Sequence, residues 1–412
     1  MSERKMKMEY IKGGVCAAKG FKAAGIHCGI RKNKSKKDLS LILSDCTAAA
    51  AAVYTTNLVK GAPIAVTRQH IADGYARAIL CNSGNANTCN KNGEEIAHEM
   101  CCLAANELKI SDKDVIVAST GVIGQPLDIS PIKSGMGSLC ASLSFDGSTA
   151  AAEGIMTTDT VLKETAVSFK IGKTDCVIGG IAKGSGMIHP NMATMLVFIT
   201  TDVDISPEVL QAALSEDVRD SFNMISIDGD TSTNDMCCIL ANKKAGNEPI
   251  TSASGEAYEA FKTALAAVTK KLCRAIAADG EGATKLIDAF VSGASSKEQA
   301  RTVAKSVICS SLFKAAMFGA DANWGRVLCA IGYSGADVDV GKIDVSFSSS
   351  AGSIKVCENG SGVAFSEEKA KEILLCNEIN LLISLGDGEY SAEAWGCDLT
   401  YDYVKINGDY RT

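Results

Sequence analysis

Apolar residues recur along this chain with two different periods, and together they predict a mixed α/β fold. Short runs rich in aliphatic and β-branched residues predict strands. These runs are residues 39–43, 78–81, 114–117, 194–200 and 343–347. Segments with apolar residues three or four positions apart predict helices. These segments are residues 94–108, 207–221, 258–277, 296–318 and 366–376. Ser206 before Pro207 and Ser366 before two glutamates are typical helix starts.

Glycine clusters with polar residues at several places between these elements. Since glycine allows sharp turns and close approach of the backbone to a ligand, the clusters predict a large active site built from distant segments. Taken singly, any one of them can equally be a plain turn. The six clusters are residues 82–87 (NSGNAN), 119–124 (STGVIG), 179–187 (GGIAKGSGM), 228–235 (DGDTSTND), 278–285 (ADGEGATK) and 319–326 (GADANWGR).

Composition excludes several other classes of protein. The chain has 412 residues and is 46% hydrophobic, which is enough for a large core and two or three domains. Its net charge of −7 gives no reason to expect nucleic acid or an anionic membrane as partner. The charged N-terminus lacks the apolar core of a secretory signal, and no run of about 18 apolar residues occurs. We therefore expect a cytoplasmic protein that does not cross a membrane.

Cysteine and histidine give no sign of a metal site. The 17 cysteines contain no C-x-x-C pair, and the four histidines lie far apart in the sequence. Reduced thiols packed in the core explain the cysteines, and we expect no metal. A nucleophilic cysteine needs a histidine beside it, and the spacing gives no basis for such a pair.

Residues 183–196 (KGSGMIHPNMATML) carry the most specific signal for chemistry. A polar glycine-rich loop ends at Pro190, and Thr194 opens an apolar strand. If the bond before Thr194 breaks, its hydroxyl gains its own α-amino group as general base, with a pKa of about 7.7–8.0. The same hydroxyl can cause the break by attacking the Ala193 carbonyl. The residues alone favour a plainer interpretation, in which Thr194 only caps a buried strand.

This segment resembles the self-cleavage signature of the ornithine acetyltransferase family, the glutamate N-acetyltransferases of arginine biosynthesis. Further motifs resemble that family in its order along nearly the whole chain: STGVIG, GIMTTDT (154–160), GDTSTND, DGEGATK, GADANWGR and the tail YVKINGDYRT (403–412). Gly408 departs from the alanine expected there. The resemblance implies cleavage between Ala193 and Thr194 into an α chain of residues 1–193 and a β chain of residues 194–412. It also implies an α2β2 heterotetramer.

The fold implied is a layered α/β sandwich of the self-processing aminopeptidase type. We place a smaller C-terminal α/β domain at roughly residues 290–412. By the same resemblance Thr194 is the nucleophile, and Thr120 with the Gly121 N–H forms the oxyanion hole. The substrate-binding positions implied are Thr157, Lys183, Thr194, Glu281, Asn407 and Thr412.

The reaction implied is ping-pong transfer of acetyl from N2-acetylornithine to Thr194 and then to glutamate. No cofactor is bound, although acetyl-coenzyme A is expected as a second donor, which would make the enzyme bifunctional. Three alternatives stay open: an ornithine acetyltransferase without the second activity, a self-processing aminopeptidase or amidase, and a binding protein for amino acids that never matures.

Overall fold

A computed structural model describes residues 8–189 and 195–409. The described strands are β1 (Glu9–Ile11), β2 (Phe21–Ile26), β3 (Leu39–Tyr54), β4 (Tyr75–Asn82), β5 (Val115–Ser119), β6 (Lys163–Ile171), β7 (Thr174–Lys183), β8 (Leu196–Thr201), β9 (Ile225–Ser226), β10 (Met236–Ala241), β11 (Leu286–Ala294), β12 (Asp344–Ser349), β13 (Gly352–Glu358), β14 (Ser361–Gly362), β15 (Glu378–Ser384) and β16 (Tyr390–Cys397). The described α-helices are α1 (Ala62–His70), α2 (Gly93–Leu108), α3 (Ser130–Ala141), α4 (Ser148–Ile155), α5 (Pro207–Asp220), α6 (Glu256–Ala278), α7 (Lys297–Cys309), α8 (Ser311–Phe318), α9 (Trp324–Gly332), α10 (Glu367–Leu374) and α11 (Tyr401–Asp409).

Two sheets organise these elements, which confirms the predicted α/β layers. The larger sheet has the order β1-β6-β7-β8-β10-β3-β4-β5, with β2 added against β3. The smaller sheet has the order β14-β13-β12-β15-β11-β16-β9. Helix α6 packs on β6 and β7 of the first sheet and on β16 and β11 of the second. One apolar core therefore joins both sheets.

The long strand β3 shows why an alanine-rich run forms a strand here. Ala48, Ala50 and Ala52 face one core cluster, and the residues between them face another. Helix α4 packs against β3, and so does α5. Alanine has a high helix propensity, but its small side chain lets elements approach closely, and tertiary packing overrides the local preference.

Most predicted helices are confirmed within a residue or two of their ends. Ser206 caps α5, with its Oγ accepting the Val209 N–H, and Ser366 caps α10 in the same way. The single helix predicted over residues 296–318 is wrong, because Ser310 adopts an extended conformation and caps a second helix, α8. The strand predicted at 39–43 continues to Tyr54. None of the described helices is both long and apolar enough to span a bilayer.

Candidate functional site

The strand ends and the end of α6 meet around one open cleft of about 630 Å³. Every described residue that the sequence analysis assigned to the site lines this cleft. These residues are Thr120, Gly121, Thr157, Lys183, Glu281 and Asn407. They come from parts of the chain that are far apart in sequence, as the glycine clusters predicted. Ala193, Thr194 and Thr412 lie outside the described residues.

Thr120 and Gly121 follow β5 at its carboxyl end. The Thr120 N–H donates to the Asn82 carbonyl at 2.9 Å, which fixes the turn against the neighbouring strand β4. Gly121 has φ +125°, and a Cβ there would lie 2.8 Å from the carbonyl carbon of Gly84. Only glycine fits this backbone without a shift of its neighbours. The Gly121 N–H makes no hydrogen bond to another described residue, so it is available to a ligand.

Lys183 ends β7 and lies opposite Leu196 of β8. The residue is only 7% exposed, yet its ammonium group makes no ion pair or hydrogen bond with any described residue. A cation that lines a cleft without a protein partner favours an anionic group of a ligand. The Lys183 ammonium can therefore donate to a ligand carboxylate at this position.

A buried ion cluster lies beneath Lys183. The Lys163 ammonium is fully buried and contacts Asp159 at 2.7 Å and Asp279 at 2.5 Å. Asp159 also accepts the N–H groups of Thr157 at 2.9 Å and Gly184 at 2.7 Å. Burial raises the pKa of Asp159, but the charges of Lys183 and Lys163 outweigh burial and hold the pKa below its ordinary value. Asp159 is therefore ionised at neutral pH.

This cluster ties three segments of the cleft together. Asp279 accepts hydrogen bonds from the backbone N–H of Thr160, and its own carbonyl accepts one from Ser185 Oγ at 2.6 Å. The Ser185 carbonyl in turn accepts the Glu281 N–H at 2.9 Å. The positions of Thr157, Lys183 and Glu281 are thus coupled through one buried network. The motifs gave no sign of the ion cluster, although Asp159 and Asp279 lie inside two of them.

Glu281 and Asn407 form the opposite wall. The Glu281 side chain is nearly buried, and its Oε2 accepts a hydrogen bond from Asn407 Nδ2 at 2.8 Å. A Cβ on Gly186 would lie 2.5 Å from the Glu281 carboxylate, so glycine makes room for that group. Its one described side-chain partner is a neutral amide, so further lone pairs of the carboxylate can accept from a cationic ligand group.

Asn234 holds the loops of the site together through its side-chain amide. In the sequence it appeared only as one residue of the 228–235 motif. Its Nδ2 donates to the carbonyls of Ala86 and Ser119, at 2.5 and 2.9 Å, and its Oδ1 accepts the Thr88 hydroxyl at 2.6 Å. These bonds join the 228–235 loop to the 82–87 loop and to the end of β5. In the sequence, only the polar glycine-rich segment that contains Asn234 indicated a role for this residue.

Asp235 stands out because one of its oxygens lacks a partner. The residue is 2% exposed, and Oδ2 is buried without a hydrogen bond to any described residue. Burial raises the pKa of this carboxyl well above its ordinary value. Asp235 lines a small pocket with Thr120, Lys183 and Met195. A buried carboxyl with a raised pKa and an unpartnered oxygen is either protonated or able to bind a cationic group of a ligand.

A second cleft of about 1340 Å³ lies beside α7. Cys309 Sγ is 3.3 Å from His189 Nδ1 there, a pair that sequence spacing gave no basis to expect. Burial lowers the pKa of His189 to about 4, and the charge of Lys305 adds to that effect. Arg219 and Arg301 also line this cleft.

No cluster of three or more metal-binding side chains occurs among the residues that the structure describes.

Comparison with known proteins agrees with the class that the fold and the motifs define. Residues 22–412 match the model of the ArgJ family. The chain belongs to this family, and the resemblance found from the motifs is confirmed.

Two curated relatives match nearly end to end. The arginine biosynthesis bifunctional protein ArgJ 1 of Clostridium acetobutylicum is 51% identical over 95% of this chain and 96% of its own length. The bifunctional ArgJ protein of Caldanaerobacter subterraneus is 49% identical over 98% of this chain and all of its own. A solved structure of the bifunctional ArgJ protein from Bacillus halodurans is 44% identical, covers 52% of this chain and 98% of its own, and has a TM-score of 0.49.

Proposed function

We propose that this protein transfers acetyl groups to glutamate from two donors, N2-acetylornithine and acetyl-coenzyme A, through an acetyl-threonine at Thr194. One observation carries the proposal. Lys183, a cation without a partner among the described residues, faces one cleft with Glu281, whose side-chain partner is neutral, and with the Gly121 N–H, which has no acceptor in the described ranges. The full-length relatives are named as bifunctional proteins of arginine biosynthesis, which supports both donors.

Maturation supplies the nucleophile. The Thr194 hydroxyl attacks the Ala193 carbonyl, the acyl group shifts from nitrogen to oxygen, and water hydrolyses the ester. The new α-amine has a pKa of about 7.7–8.0 when unperturbed, so a useful fraction is neutral and accepts the hydroxyl proton. The α chain then comprises residues 1–193 and the β chain residues 194–412, and two copies of each assemble as α2β2 in the cytoplasm. The domain boundary near residue 290 stays a prediction.

Transfer proceeds in two half-reactions. Thr194 Oγ attacks the acetyl carbonyl of N-acetylornithine, the C–N bond breaks, and ornithine leaves with the proton. Glutamate's amine then attacks the acetyl-threonine ester and departs as N-acetylglutamate. The Thr120 hydroxyl and the Gly121 N–H donate to the oxyanion of each tetrahedral intermediate. Preorganised donors of this kind contribute about 3–4 kcal/mol each.

Charge complementarity accounts for the α-carboxylate of both substrates and for the δ-ammonium of ornithine. Both amino acids carry an α-carboxylate, which Lys183 neutralises. Glu281 receives the δ-ammonium of ornithine and is held in place for that role by Asn407. Thr157 provides a neutral hydrogen bond at the rim, and Thr412 completes the set that the family resemblance implies. No bound cofactor is required for these steps.

The first test follows loss of N-acetylornithine with and without glutamate, using purified enzyme and mass-spectrometric detection. Loss that depends on glutamate, with matching gain of N-acetylglutamate, is the expected result. Equal loss without glutamate would identify an amidase instead. Binding of ornithine by an uncut chain without turnover would favour the binding-protein alternative.

A second assay separates the two-donor enzyme from an ornithine acetyltransferase with one donor. Acetyl-coenzyme A replaces N-acetylornithine, with glutamate as acceptor. Formation of N-acetylglutamate is expected. Turnover of N-acetylornithine alone would limit the activity to recycling of the acetyl group.

A further inference from the structure

A lysine-rich loop, residues 31–37 (RKNKSKK), joins β2 to β3 and has no role in the chemistry described above. Five of its seven residues are cationic. A run of charge is most often a solvated surface, so its position relative to the cleft decides whether it has a function. We name this segment the lysine-rich loop.

The base of the lysine-rich loop is fixed by a buried acid. Asp38 is fully buried and accepts the backbone N–H groups of Cys28 at 2.7 Å, Gly29 at 3.2 Å and Arg31 at 2.9 Å. Within the loop, Asn33 Oδ1 accepts both the N–H and the hydroxyl of Ser35. The lysines are therefore held at a defined place by backbone that is anchored in the core.

Contacts place the lysine-rich loop at the rim of the cleft. The Arg31 guanidinium donates to the carbonyls of Ser83 and Met156. The Lys36 ammonium donates to the carbonyl of Thr157 at 3.3 Å. Since Thr157 lines the cleft, the loop lies directly beside it.

Two lysines of the lysine-rich loop carry charge that no described residue neutralises. Lys37 pairs with Glu153 at 2.7 Å. Lys32 and Lys34 are exposed, and their ammonium groups make no ion pair or hydrogen bond with the described part of the chain. The chain as a whole has a net charge of −7, which repels a polyanionic ligand. A local cationic rim at the cleft offsets that repulsion where the ligand must bind.

We propose that the lysine-rich loop binds the phosphate groups of acetyl-coenzyme A. This inference rests on the proposed function, because only the second donor carries phosphates. The flexible pantetheine arm then leads from the rim into the cleft. There Thr194 Oγ attacks the thioester carbonyl, the C–S bond breaks, and the hydroxyl proton passes through the α-amine to the sulfur of coenzyme A.

Charge reversal at two exposed positions tests the proposal. Lys32→Glu/Lys34→Glu is compared with wild type with each of the two donors in turn, and with glutamate as acceptor. The KM for acetyl-coenzyme A should rise about tenfold at low salt, since each exposed charge pair contributes modestly and reversal adds repulsion. The KM for N-acetylornithine should stay within about twofold, which also shows that the variant is folded.

Two controls separate phosphate binding from a general effect of charge. Acetyl-pantetheine is a donor without the nucleotide phosphates, and its kinetics should be the same in wild type and variant. Lys173→Glu/Lys371→Glu makes the same charge change at exposed lysines of the β6–β7 hairpin and α10. The KM for acetyl-coenzyme A of this control should stay close to the wild-type value.

Each other outcome has a distinct meaning. If wild type uses acetyl-coenzyme A and charge reversal leaves its KM unchanged, only the role of the lysine-rich loop is overturned. If wild type uses N-acetylornithine but not acetyl-coenzyme A, the second activity and the loop's role are both wrong. If wild type uses neither donor, the proposed function itself fails.

Discussion

Two clefts in this molecule are lined by cationic and polar side chains. They differ in how many of those side chains already have hydrogen-bond or ion-pair partners in the protein. The cleft beside α7 is the larger one, with His189, Cys309 and several cations. There Arg301 Nε lies 2.9 Å from Asp220, and Lys305 donates to the Asn223 carbonyl at 2.7 Å. The cleft at the strand ends is smaller, but Lys183 has no partner among the described residues.

Polar groups without hydrogen-bond partners distinguish a binding site from a gap between elements. A cation that already donates to protein groups gains little from a ligand, because the ligand only replaces existing bonds. Lys183 and the Gly121 N–H make no such bonds within residues 8–189 and 195–409, so a ligand that supplies an acceptor satisfies them. Cleft volume and the number of titratable side chains alone would instead favour the cleft beside α7.

Removing the cation of the buried cluster should have the largest effect. Lys163→Met leaves Asp159 and Asp279 buried without their shared partner, which should lower the free energy of unfolding by about 3–5 kcal/mol. Urea unfolding checks this value. Lys262→Met removes an exposed ion pair and is the control, with an expected change below about 1 kcal/mol.

Lys163→Met should also change catalysis. Since the cluster couples three walls of the cleft, kcat should fall together with a rise in KM at a temperature where the variant is folded. A stable variant with wild-type kinetics would show that the cluster does not position the site.

Lys183→Met compares the two clefts directly. Loss of one charged contact to a ligand carboxylate should lower kcat/KM for N-acetylornithine and for glutamate by about 100-fold. Lys305→Met removes a half-buried lysine from the other cleft and should lower stability while kcat/KM stays within about threefold. Equal losses of kcat/KM in both variants would remove the distinction between the clefts.

Gly121→Ala should have an intermediate effect. The φ of +125° and the contact with Gly84 impose strain of about 1–3 kcal/mol on any larger residue. We expect kcat to fall by about tenfold or more, because the N–H moves away from the oxyanion. The matched change Gly124→Ala has a positive φ but no nearby atom, so its kcat should change less.

Cys309→Ser should have the smallest effect. The Cys309–His189 pair has the geometry of a nucleophile and base, but it lies in the second cleft. Activity toward both donors should stay within about twofold of wild type. A loss of acetyl transfer on this change would show that the cysteine alternative had been rejected too early.

The predictable part of the fold was the part with strong periodicity. Helix α6 was predicted as residues 258–277 and extends over Glu256–Ala278. The pattern did not reveal that β3 runs through the alanines to Tyr54, because a strand buried on both faces does not alternate. It also missed the break at Ser310, where a single hydroxyl caps α8.

The site likewise has a part that the sequence motifs predicted and a part that they did not. Motifs placed Lys183 and Glu281 in the site, and the structure brings both to one cleft. The unpaired oxygen of Asp235 and the burial of Lys163 depend on contacts between distant segments, so no local pattern contains them. The roles of the lining residues stay predictions until the measurements above are made.

The most direct test of the central claim is the intact mass of wild type and Thr194→Ala after incubation with N-acetylornithine without glutamate. Wild type should give two fragments, residues 1–193 and 194–412, with one acetyl group added to the second. Thr194→Ala should remain a single unacetylated chain. An uncut wild type, or an acetyl group on any other residue, would contradict Thr194 as the nucleophile.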